Sequence, residues 1–306
     1  VQRHVHFDAL LAEAEPMPPM PTAVVAPEKP DALAGAILGR DHTIIAPVLI
    51  GDEAKIRAAA MEIGADLSGL EVINLPDPSA AAARAVEMVH AGQVQAVMKG
   101  HLHTDVLLKH VVKREGGLRM GRKLSHIFVM DVPGLDHMLF VTDAAINIAP
   151  DLETKVDMTQ NAIDLARTLG VAVPKVGILS AVETVTPKLP STIDAAVLSK
   201  MAERGQIRGG VVDGPLAMDN AVDLEAARTK GITSVVAGRA DVLVAPNLES
   251  ANMLAKELTF IAHAEAAGVV IGAQVPVILT SRADDDKARL ASCAVAALYA
   301  ARKGTL

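Results

Sequence analysis

Hydroxyl, guanidinium and carboxylate groups follow one another in Ser281-Arg282-Ala283-Asp284, between the apolar run Val275–Thr280 and a helical pattern. The start of a helix offers free N–H groups and partial positive charge, and an arginine can hold a phosphate or carboxylate through two parallel hydrogen bonds. This segment therefore favours an anion site. Ser281-x-x-Asp284 is also a capping box, which needs no ligand. Arg282 opposes the helix dipole, so it requires a negative partner, either a neighbouring aspartate or a ligand.

A second strand end carries polar side chains at Val97–Asp105, where an apolar run gives way to a turn and then to a helical pattern. Ligands of open parallel sheets bind outside the carboxyl ends of the strands, so Lys99 is placed to meet a phosphate. His101 and His103 are the residue type that binds metals, but no further ligands stand at a recognised spacing. The sequence therefore predicts no metal site here.

Six basic residues lie close together in an otherwise acidic chain: Lys109, Lys113, Arg114, Arg119, Arg122 and Lys123. The first three fall in the closing turns of a predicted helix that ends at Gly116-Gly117, where they complement the helix dipole. The last three follow on a loop and are the better candidates for anion ligands. The segment resembles a phosphate-binding P-loop only superficially, because it lacks the Gly-Lys-Ser/Thr ending.

Two further polar groups follow apolar runs, and each has two interpretations. Asp213-Gly214-Pro215 is either a turn that ends a strand or a loop that faces a site. Asn247 is either a ligand contact or the N-cap of a helix. The chain contains neither the G-x-G-x-x-G dinucleotide fingerprint nor the G-x-S-x-G nucleophile motif, which lowers the expectation of a Rossmann dehydrogenase or an α/β-hydrolase.

Composition narrows the functional class further. The 306 residues are 51% hydrophobic, the mean hydropathy is +0.33, and the formal net charge is −7. Nucleic-acid binding is not expected, because a broad basic face is missing and the chain has no Trp, one Tyr and four Phe. No apolar stretch approaches the roughly 20 residues that span a bilayer. The single cysteine, Cys293, excludes an internal disulfide and is expected to be a buried thiol of a cytoplasmic protein.

Apolar runs alternate with helical patterns along most of the chain. Strands are predicted at Thr22–Ala26, Thr43–Ile50, Leu70–Leu75, Val94–Met98, Leu124–Met130, Met138–Thr142, Lys175–Ser180, Gly210–Val212, Val242–Ala245, Val269–Ile271 and Val275–Thr280. Helices are predicted at Val5–Glu15, Ser79–Ala91, Leu152–Leu169, Thr192–Arg204, Leu248–Ala267 and Asp284–Ala301. Continuous Val/Ile/Leu strands joined by helices predict an α/β protein with mostly parallel sheets. Asp131–Asp136 is the best hinge candidate.

Several blocks together resemble the phosphate acetyl/butyryltransferase family from about Thr22 to the C-terminus. They are Met98-Lys99-Gly100, the stretches 117–126, 139–150, 211–220 and 236–244, and Thr280-Ser281-Arg282-Ala283-Asp284. The sequences of these blocks are more similar to the butyryl branch than to the acetyl branch. The chain is also similar to the acyltransferase module that some bacteria attach to enoyl-CoA hydratase domains.

The resemblance implies a fold and an activity. It implies two α/β domains with a cleft between them, as in isocitrate and isopropylmalate dehydrogenases, here 1–135 plus 278–306 and 136–277. It implies a homodimer that interconverts short-chain acyl-CoA and phosphate with acyl phosphate and CoA, without a cofactor.

The resemblance also implies roles for individual residues. The catalytic residues would be Ser281, Arg282 and Asp284. The substrate-binding residues would be Lys99, Gly100, Thr104, Arg119, Lys123, Ser125, His126, Asp213, Gly214 and Asn247. The acetyl branch carries a catalytic Asp further into the last helix, where this chain has Ala288 in an ungapped register. The nearest carboxylates are Asp284, Asp285 and Asp286, and either a nearby carboxylate or Ser281 can accept or relay the proton.

Two other functions fit the sequence. One is a nicotinamide-dependent decarboxylating dehydrogenase on the same fold, which would need a metal held by carboxylates from separate segments. Asp284–Asp286 are consecutive and cannot all face one ion from a helix. The other is a non-catalytic protein that binds acyl-CoA.

Overall fold

A computed structural model describes residues 4–306 and divides the chain into two compact units. The first unit comprises Phe7–Arg122 and Ala266–Arg302. The second comprises residues 4–6, Lys123–Glu265 and Lys303–Leu306. Each unit is a mostly parallel sheet with helices, as the alternation of apolar runs and helical patterns predicts.

Eleven strands and eleven α-helices make up the described part of the chain. The strands are β1 Met20–Val25, β2 Ile45–Gly51, β3 Val72–Asn74, β4 Ala96–Lys99, β5 Ser125–Asp131, β6 Leu139–Thr142, β7 Lys175–Leu179, β8 Val211–Leu216, β9 Val242–Val244, β10 Glu265–Ile271 and β11 Val277–Ile278. The helices are α1 Val5–Ala14, α2 Pro30–Asp41, α3 Glu53–Glu62, α4 Pro78–His90, α5 Thr104–Val111, α6 Leu152–Thr168, α7 Pro190–Glu203, α8 Met218–Val222, α9 Leu224–Thr229, α10 Leu248–Phe260 and α11 Asp286–Arg302.

The strands of the first unit follow the order β3-β2-β1-β4-β11-β10. All neighbours in this order are parallel except β10 and β11, which are antiparallel. Strands β1 and β4 are buried almost throughout, as expected for a parallel sheet covered on both faces. Helix α11 packs against α2, and Gly39 allows the close approach, because a Cβ there would stand 2.7 Å from Ile45 and 3.1 Å from the Cys293 sulfur.

The strands of the second unit follow the order β5-β6-β9-β7-β8. Only the β5–β6 pair is antiparallel. The turn that joins these two strands contains residues 132–138, which include most of the predicted hinge. Because β5 and β6 pair directly, this segment is a connection within one unit. The hinge at Asp131–Asp136 stays a prediction.

The boundaries between the units also differ from those predicted. The divisions fall at 122/123 and 265/266, whereas the sequence placed them at 135/136 and 277/278. The second difference arises because β10, which pairs with β11, belongs almost entirely to the first unit. The Ala-rich stretch before Val269 reads as helix, but α10 ends at Phe260 and β10 begins at Glu265.

All eleven predicted strands are present, with boundaries that differ by a few residues. Cys293 is fully buried, and burial raises the pKa of its thiol to about 12, so a structural role fits this cysteine. Within residues 4–306, no helix combines the length and the apolar character that crossing a bilayer requires.

Candidate active site

Three neighbouring parallel strands of the first unit end at the same edge of the sheet. Val25 of β1 lies opposite Lys99 of β4, and Met98 lies opposite Ile278 of β11. The residues that follow β4 and β11 are therefore neighbours at this edge, which brings Lys99 next to the segment that contains Ser281. This edge is where an open parallel sheet places its ligands.

Gly100 is required by close contact between the ends of β4 and β1. Its N–H donates to the Val25 oxygen (2.8 Å), and the His101 N–H donates to the Ala26 oxygen (2.7 Å). A Cβ on Gly100 would overlap both of these carbonyl oxygens. The absence of a side chain at Gly100 thus lets the backbone at the end of β4 lie against Val25 and Ala26, and this contact positions the neighbouring Lys99.

The segment 281–284 forms a compact turn of its own. The Asp284 carboxylate accepts a hydrogen bond from the Ser281 N–H (2.7 Å), and the Ser281 carbonyl accepts one from the Asp284 N–H (3.1 Å). The Ser281 hydroxyl accepts one from the Ala283 N–H (3.2 Å). Helix α11 begins afterwards, and its N-cap is Asp285, whose carboxylate accepts from the Ala288 N–H (2.8 Å). Ser281 and Asp284 therefore stabilise the turn, and of the two interpretations left open, the one that makes them the cap of this helix is wrong.

Arg282 lies at the exposed tip of this turn. Within residues 4–306 its guanidinium makes neither an ion pair nor a side-chain hydrogen bond, so none of the neighbouring aspartates is its partner. The neighbouring-aspartate alternative is therefore wrong, and the guanidinium is free to meet solvent or a ligand. A charged, solvent-exposed arginine of this kind can bind an oxyanion without first breaking an internal ion pair.

Lys99 is the second cation at this edge. Burial lowers the pKa of Lys99, the Arg282 charge lowers it further, and the Asp31 carboxylate opposes both effects. Asp31 lies in the first turn of α2, which follows β1, so all three strand ends contribute a charged group. Two mutually repelling cations at one edge favour the binding of an anion between them.

Asp284 has a different electrostatic environment. Burial raises the pKa of its carboxyl, the hydrogen bond from Ser281 and the Arg289 charge oppose the rise, and Asp285 adds to it. A carboxyl with a raised pKa is a better proton acceptor in its ionised form than an ordinary surface aspartate.

Thr104 is the first residue of α5, which follows β4 and so starts at the same edge. Within residues 4–306 its N-cap residue, His103, makes no side-chain capping hydrogen bond, and free N–H groups at a helix start favour an anion. His101 and His103 belong to no group of three metal-ligating side chains anywhere in the described residues.

Arg119 is placed differently from the residues above. Its backbone forms a bridge with Ala273, in the turn that precedes β11, whereas Ser281 and Arg282 follow β11. Arg119 and Arg282 therefore lie beyond opposite ends of this short strand. The structure does not bring the Arg119 backbone to the edge that carries Lys99.

In the second unit, the predicted ligands at the start of β5 are already engaged within the protein. The Lys123 ammonium donates to the Thr154 hydroxyl (2.7 Å) and lies 3.9 Å from the Asp151 carboxylate. The Ser125 hydroxyl is buried and accepts a hydrogen bond from the Asn161 amide (2.9 Å). Direct contact of Ser125 with a ligand conflicts with this burial.

His126 is also buried, and its ring lies edge-on to Phe128 at 4.4 Å between centroids. Burial lowers the pKa of His126 to about 4 against the attraction of Asp143, so the ring is neutral at pH 7. Its Nδ1 has no hydrogen-bond partner among the described residues. Like Ser125, this side chain has no exposed surface with which to meet a substrate.

Asp143 organises this region, although no role is predicted for it above. The buried carboxylate accepts hydrogen bonds from the N–H groups of His126, Ala145, Ile146 and Asn147, and from the Asn147 side-chain amide (2.7 Å). Asn147 also donates to the Leu124 oxygen. Asp143 and Asn147 lie in the stretch 139–150, one of the blocks that carry the family resemblance. That membership was the feature of the sequence that could have identified them.

Asp213 and Gly214 lie inside β8, so the prediction that they follow the strand is wrong. The β7–β8 pairing shifts register between Asp213 and Leu216, and an irregularity of this kind on an edge strand is where a strand tolerates a proline such as Pro215. A Cβ on Gly214 would stand 2.9 Å from the Ile178 oxygen, so this glycine serves packing.

Asn247 is the N-cap of α10, and with Ser250 it forms a capping box, in which its side-chain oxygen accepts from the Ser250 N–H (2.9 Å). The capping interpretation of Asn247 is therefore confirmed.

Comparison with known proteins gives the family. A model described as phosphate acetyl/butaryl transferase matches residues 77–297. A phosphate acetyltransferase of Rhizobium meliloti is 57% identical over 97% of this chain and 94% of its own length. A phosphate butyryltransferase of Clostridium beijerinckii is 42% identical over 97% of this chain and 98% of its own length. The crystal structure of a branched-chain phosphotransacylase from Enterococcus faecalis V583 is 30% identical, with a TM-score of 0.79, over 92% of this chain and 99% of that one. The chain belongs to the phosphate acetyl/butaryl transferase family.

Proposed function

We propose that this protein is an acyltransferase of the acetyl/butyryl type, which interconverts short-chain acyl-CoA and phosphate with acyl phosphate and CoA. Both substrates bind together, and the acyl group passes directly between them without a cofactor. Family membership supports the reaction class. The observation that carries the assignment of the site is the position of Arg282 beside Lys99 at the carboxyl ends of β4 and β11. Arg282 is exposed, and its guanidinium has no ion-pair partner within residues 4–306.

Acyl transfer between CoA and phosphate is faster when a cation lies where negative charge develops in the transition state. When the CoA thiolate attacks an acyl phosphate, a bond forms between the sulfur and the acyl carbon. The bond between the acyl carbon and the bridging phosphate oxygen breaks, and phosphate leaves with the electron pair of that bond. Charge grows first on the carbonyl oxygen and then on the phosphate. Arg282 stabilises this charge, and Lys99 holds the phosphate in place. Removing one such donor commonly costs about 10²–10³ in rate.

The thiol must lose its proton before or during attack, because a free thiol has a pKa of about 8.5. In this proposal Asp284 accepts the proton, directly or through the Ser281 hydroxyl. General-base assistance of this kind is typically worth about 10²–10⁴-fold. Ala288, at the position of the acetyl-branch aspartate, is buried and carries no acidic group, which leaves Asp284 as the carboxylate bonded to the Ser281 turn.

Other parts of the proposal follow from the family resemblance. Gly100 and Thr104 complete the phosphate site, and Arg119 and Lys123 contribute to CoA or phosphate binding. Ser125 and His126 act by supporting the start of β5. A homodimer, a cytoplasmic location and the isocitrate-dehydrogenase-like arrangement of two domains about a cleft belong to the same proposal.

The test is a colorimetric assay of CoA release from acyl-CoA, with and without phosphate and with acyl chains of two to five carbons. We expect thiol release that depends on phosphate, and acyl phosphate trapped in equal amount with hydroxylamine. CoA binding without phosphate-dependent release would instead support a non-catalytic acyl-CoA-binding protein. NADH formation from 2-hydroxy acids would support the dehydrogenase, which the comparisons do not favour.

A further inference from the structure

Lys99 is the amine of the candidate site, and its nitrogen has few partners. The side chain is half-buried, and within residues 4–306 its ammonium enters no ion pair. In the same part of the chain its one hydrogen bond runs to the neighbouring Gly100 oxygen and is long, at 3.4 Å. A charge that leaves water ordinarily finds a carboxylate partner, because its burial is otherwise unfavourable. No carboxylate therefore holds this nitrogen as an ammonium or blocks its lone pair.

Other lysines of the chain show the two usual arrangements. The buried ammonium of Lys155 lies 2.9 Å from the carboxylate of its ion pair, and the ammonium of Lys287 lies 2.9 Å from that of another. Lys188 and Lys256 are exposed, so water solvates their charge. Lys99 has neither a carboxylate partner nor full access to water. Of these five amines, it is the one whose surroundings favour the uncharged, nucleophilic form.

The pairing of the strands places this amine where the proposed reaction takes place. Lys99 ends β4, Met98 lies opposite Ile278 of β11, and Arg282 follows β11. In the proposed function Arg282 meets the carbonyl oxygen of the acyl group, so a bound acyl group has the Lys99 nitrogen beside it. Two groups held together react far faster than in free solution, since the effective molarity of a well-oriented pair reaches about 10⁵–10⁸ M. An activated acyl group next to an amine is a reactive combination.

We propose that Lys99 is a site of self-acylation: when acyl-CoA occupies the site and phosphate is missing, the Lys99 nitrogen takes the acyl group and the protein loses activity. The ammonium first gives a proton to water. The nitrogen lone pair then attacks the thioester carbon, a C–N bond forms, the C–S bond breaks, and CoA leaves with the electron pair of that bond. The attacking nitrogen loses a second proton, which the departing thiolate takes up. The products are an N-acyl-lysine and free CoA.

Phosphate opposes this side reaction in two ways. It is the normal acceptor of the acyl group, and it is an anion that lies against Lys99, where a negative charge favours the ammonium form. Without that anion, burial and the Arg282 charge lower the pKa of Lys99, against the opposing effect of the Asp31 carboxylate. Acylation removes the positive charge for good, so phosphate then binds more weakly. A shortage of phosphate thus inactivates the protein that uses it.

The inference rests on the proposed acyltransferase activity, and mass spectrometry of the wild-type protein tests it. The protein is incubated with excess acetyl-CoA or butyryl-CoA in phosphate-free buffer and digested with trypsin, which does not cleave after an acylated lysine. Acylation of Lys99 therefore joins the tryptic peptides 85–99 and 100–109. We expect Lys99 to be modified at least about tenfold faster than the exposed Lys188 and Lys256. Phosphate-dependent CoA release, assayed after dilution, should be lost in parallel, and saturating phosphate during the incubation should prevent both changes.

Two variants identify the nucleophile and the site. Lys99→Arg keeps a cation but removes the nucleophile, so the activity that it retains should withstand acyl-CoA. Arg282→Ala should slow modification of Lys99 to the rate of the exposed lysines, and a peptide mass reports this without any need for activity.

Three results would overturn the inference in a protein that shows phosphate-dependent CoA release. They are modification of Lys99 no faster than that of the exposed lysines, equal modification with and without phosphate, and inactivation of Lys99→Arg at the wild-type rate. A wild-type protein without phosphate-dependent CoA release would instead refute the proposed function itself, so the two failures are distinguishable.

Discussion

Replacing Gly100 by alanine is expected to damage both stability and the site, for a reason that the geometry makes quantitative. An alanine Cβ would stand 2.5 Å from the Ala26 oxygen and nearer still to the Val25 oxygen. Both atoms are backbone and cannot rotate away, so the chain must move. Movement breaks or stretches the bonds from Gly100 and His101 to β1, each worth about 0.5–1.5 kcal/mol. Displacing packed backbone costs about 1–3 kcal/mol more.

We therefore expect Gly100→Ala to lower the free energy of unfolding by about 2–6 kcal/mol. Urea denaturation followed by circular dichroism measures this loss. The matched control is Gly304→Ala, because a Cβ at Gly304 meets no atom within 4 Å. The control should stay within about 0.5 kcal/mol of the wild type. Surviving Gly100→Ala protein should also bind phosphate more weakly, since Lys99 is displaced. A loss under 1 kcal/mol with unchanged kinetics would refute this account of the glycine.

Two further predictions concern the turn and the second unit. Ser281→Ala should reduce turnover but leave the melting temperature nearly unchanged. Asp285→Ala, which removes the N-cap of α11, should lower the free energy of unfolding by about 1 kcal/mol. Equal losses of melting temperature in differential scanning fluorimetry would count against this division of roles. The unfolded chain binds a proton at His126 near pH 6.5, but the folded chain does so only near pH 4, so the free energy of unfolding should fall as the pH drops through this window. His126→Leu should flatten that decline in urea titrations at stepped pH, and an unaltered slope would assign it to other groups.

The strands were predictable because continuous Val, Ile and Leu runs have few alternatives in a chain of this composition. Their order and direction were not. The antiparallel β5–β6 pair contains the same kind of apolar run as its parallel neighbours, so nothing local distinguishes it. Alanine is the strongest helix former, so the Ala-rich stretch before Val269 favours a helix, although β10 begins there at Glu265. Domain boundaries depend on which strands pair across long sequence distances, and a Pro-Gly segment such as Pro133-Gly134 cannot reveal this.

The candidate site was predictable where polar residues directly follow a buried strand. Lys99, Gly100, Ser281 and Arg282 meet this description, and the parallel pairing of β4 with β11 makes them neighbours. Burial was the missing information in the second unit. Ser125 and His126 are polar residues at the start of a strand, and their sequence positions do not show that both side chains face inwards.

The central claim is that Arg282 stabilises the oxyanions of acyl transfer, and the rate of acyl phosphate formation by Arg282→Ala tests it most directly. Since this exposed side chain makes no ion pair or side-chain hydrogen bond within residues 4–306, the melting temperature of the variant should equal that of the wild type. The account predicts a fall in kcat/KM of at least about 100-fold. A rate near that of the wild type, in protein that unfolds normally, would contradict it.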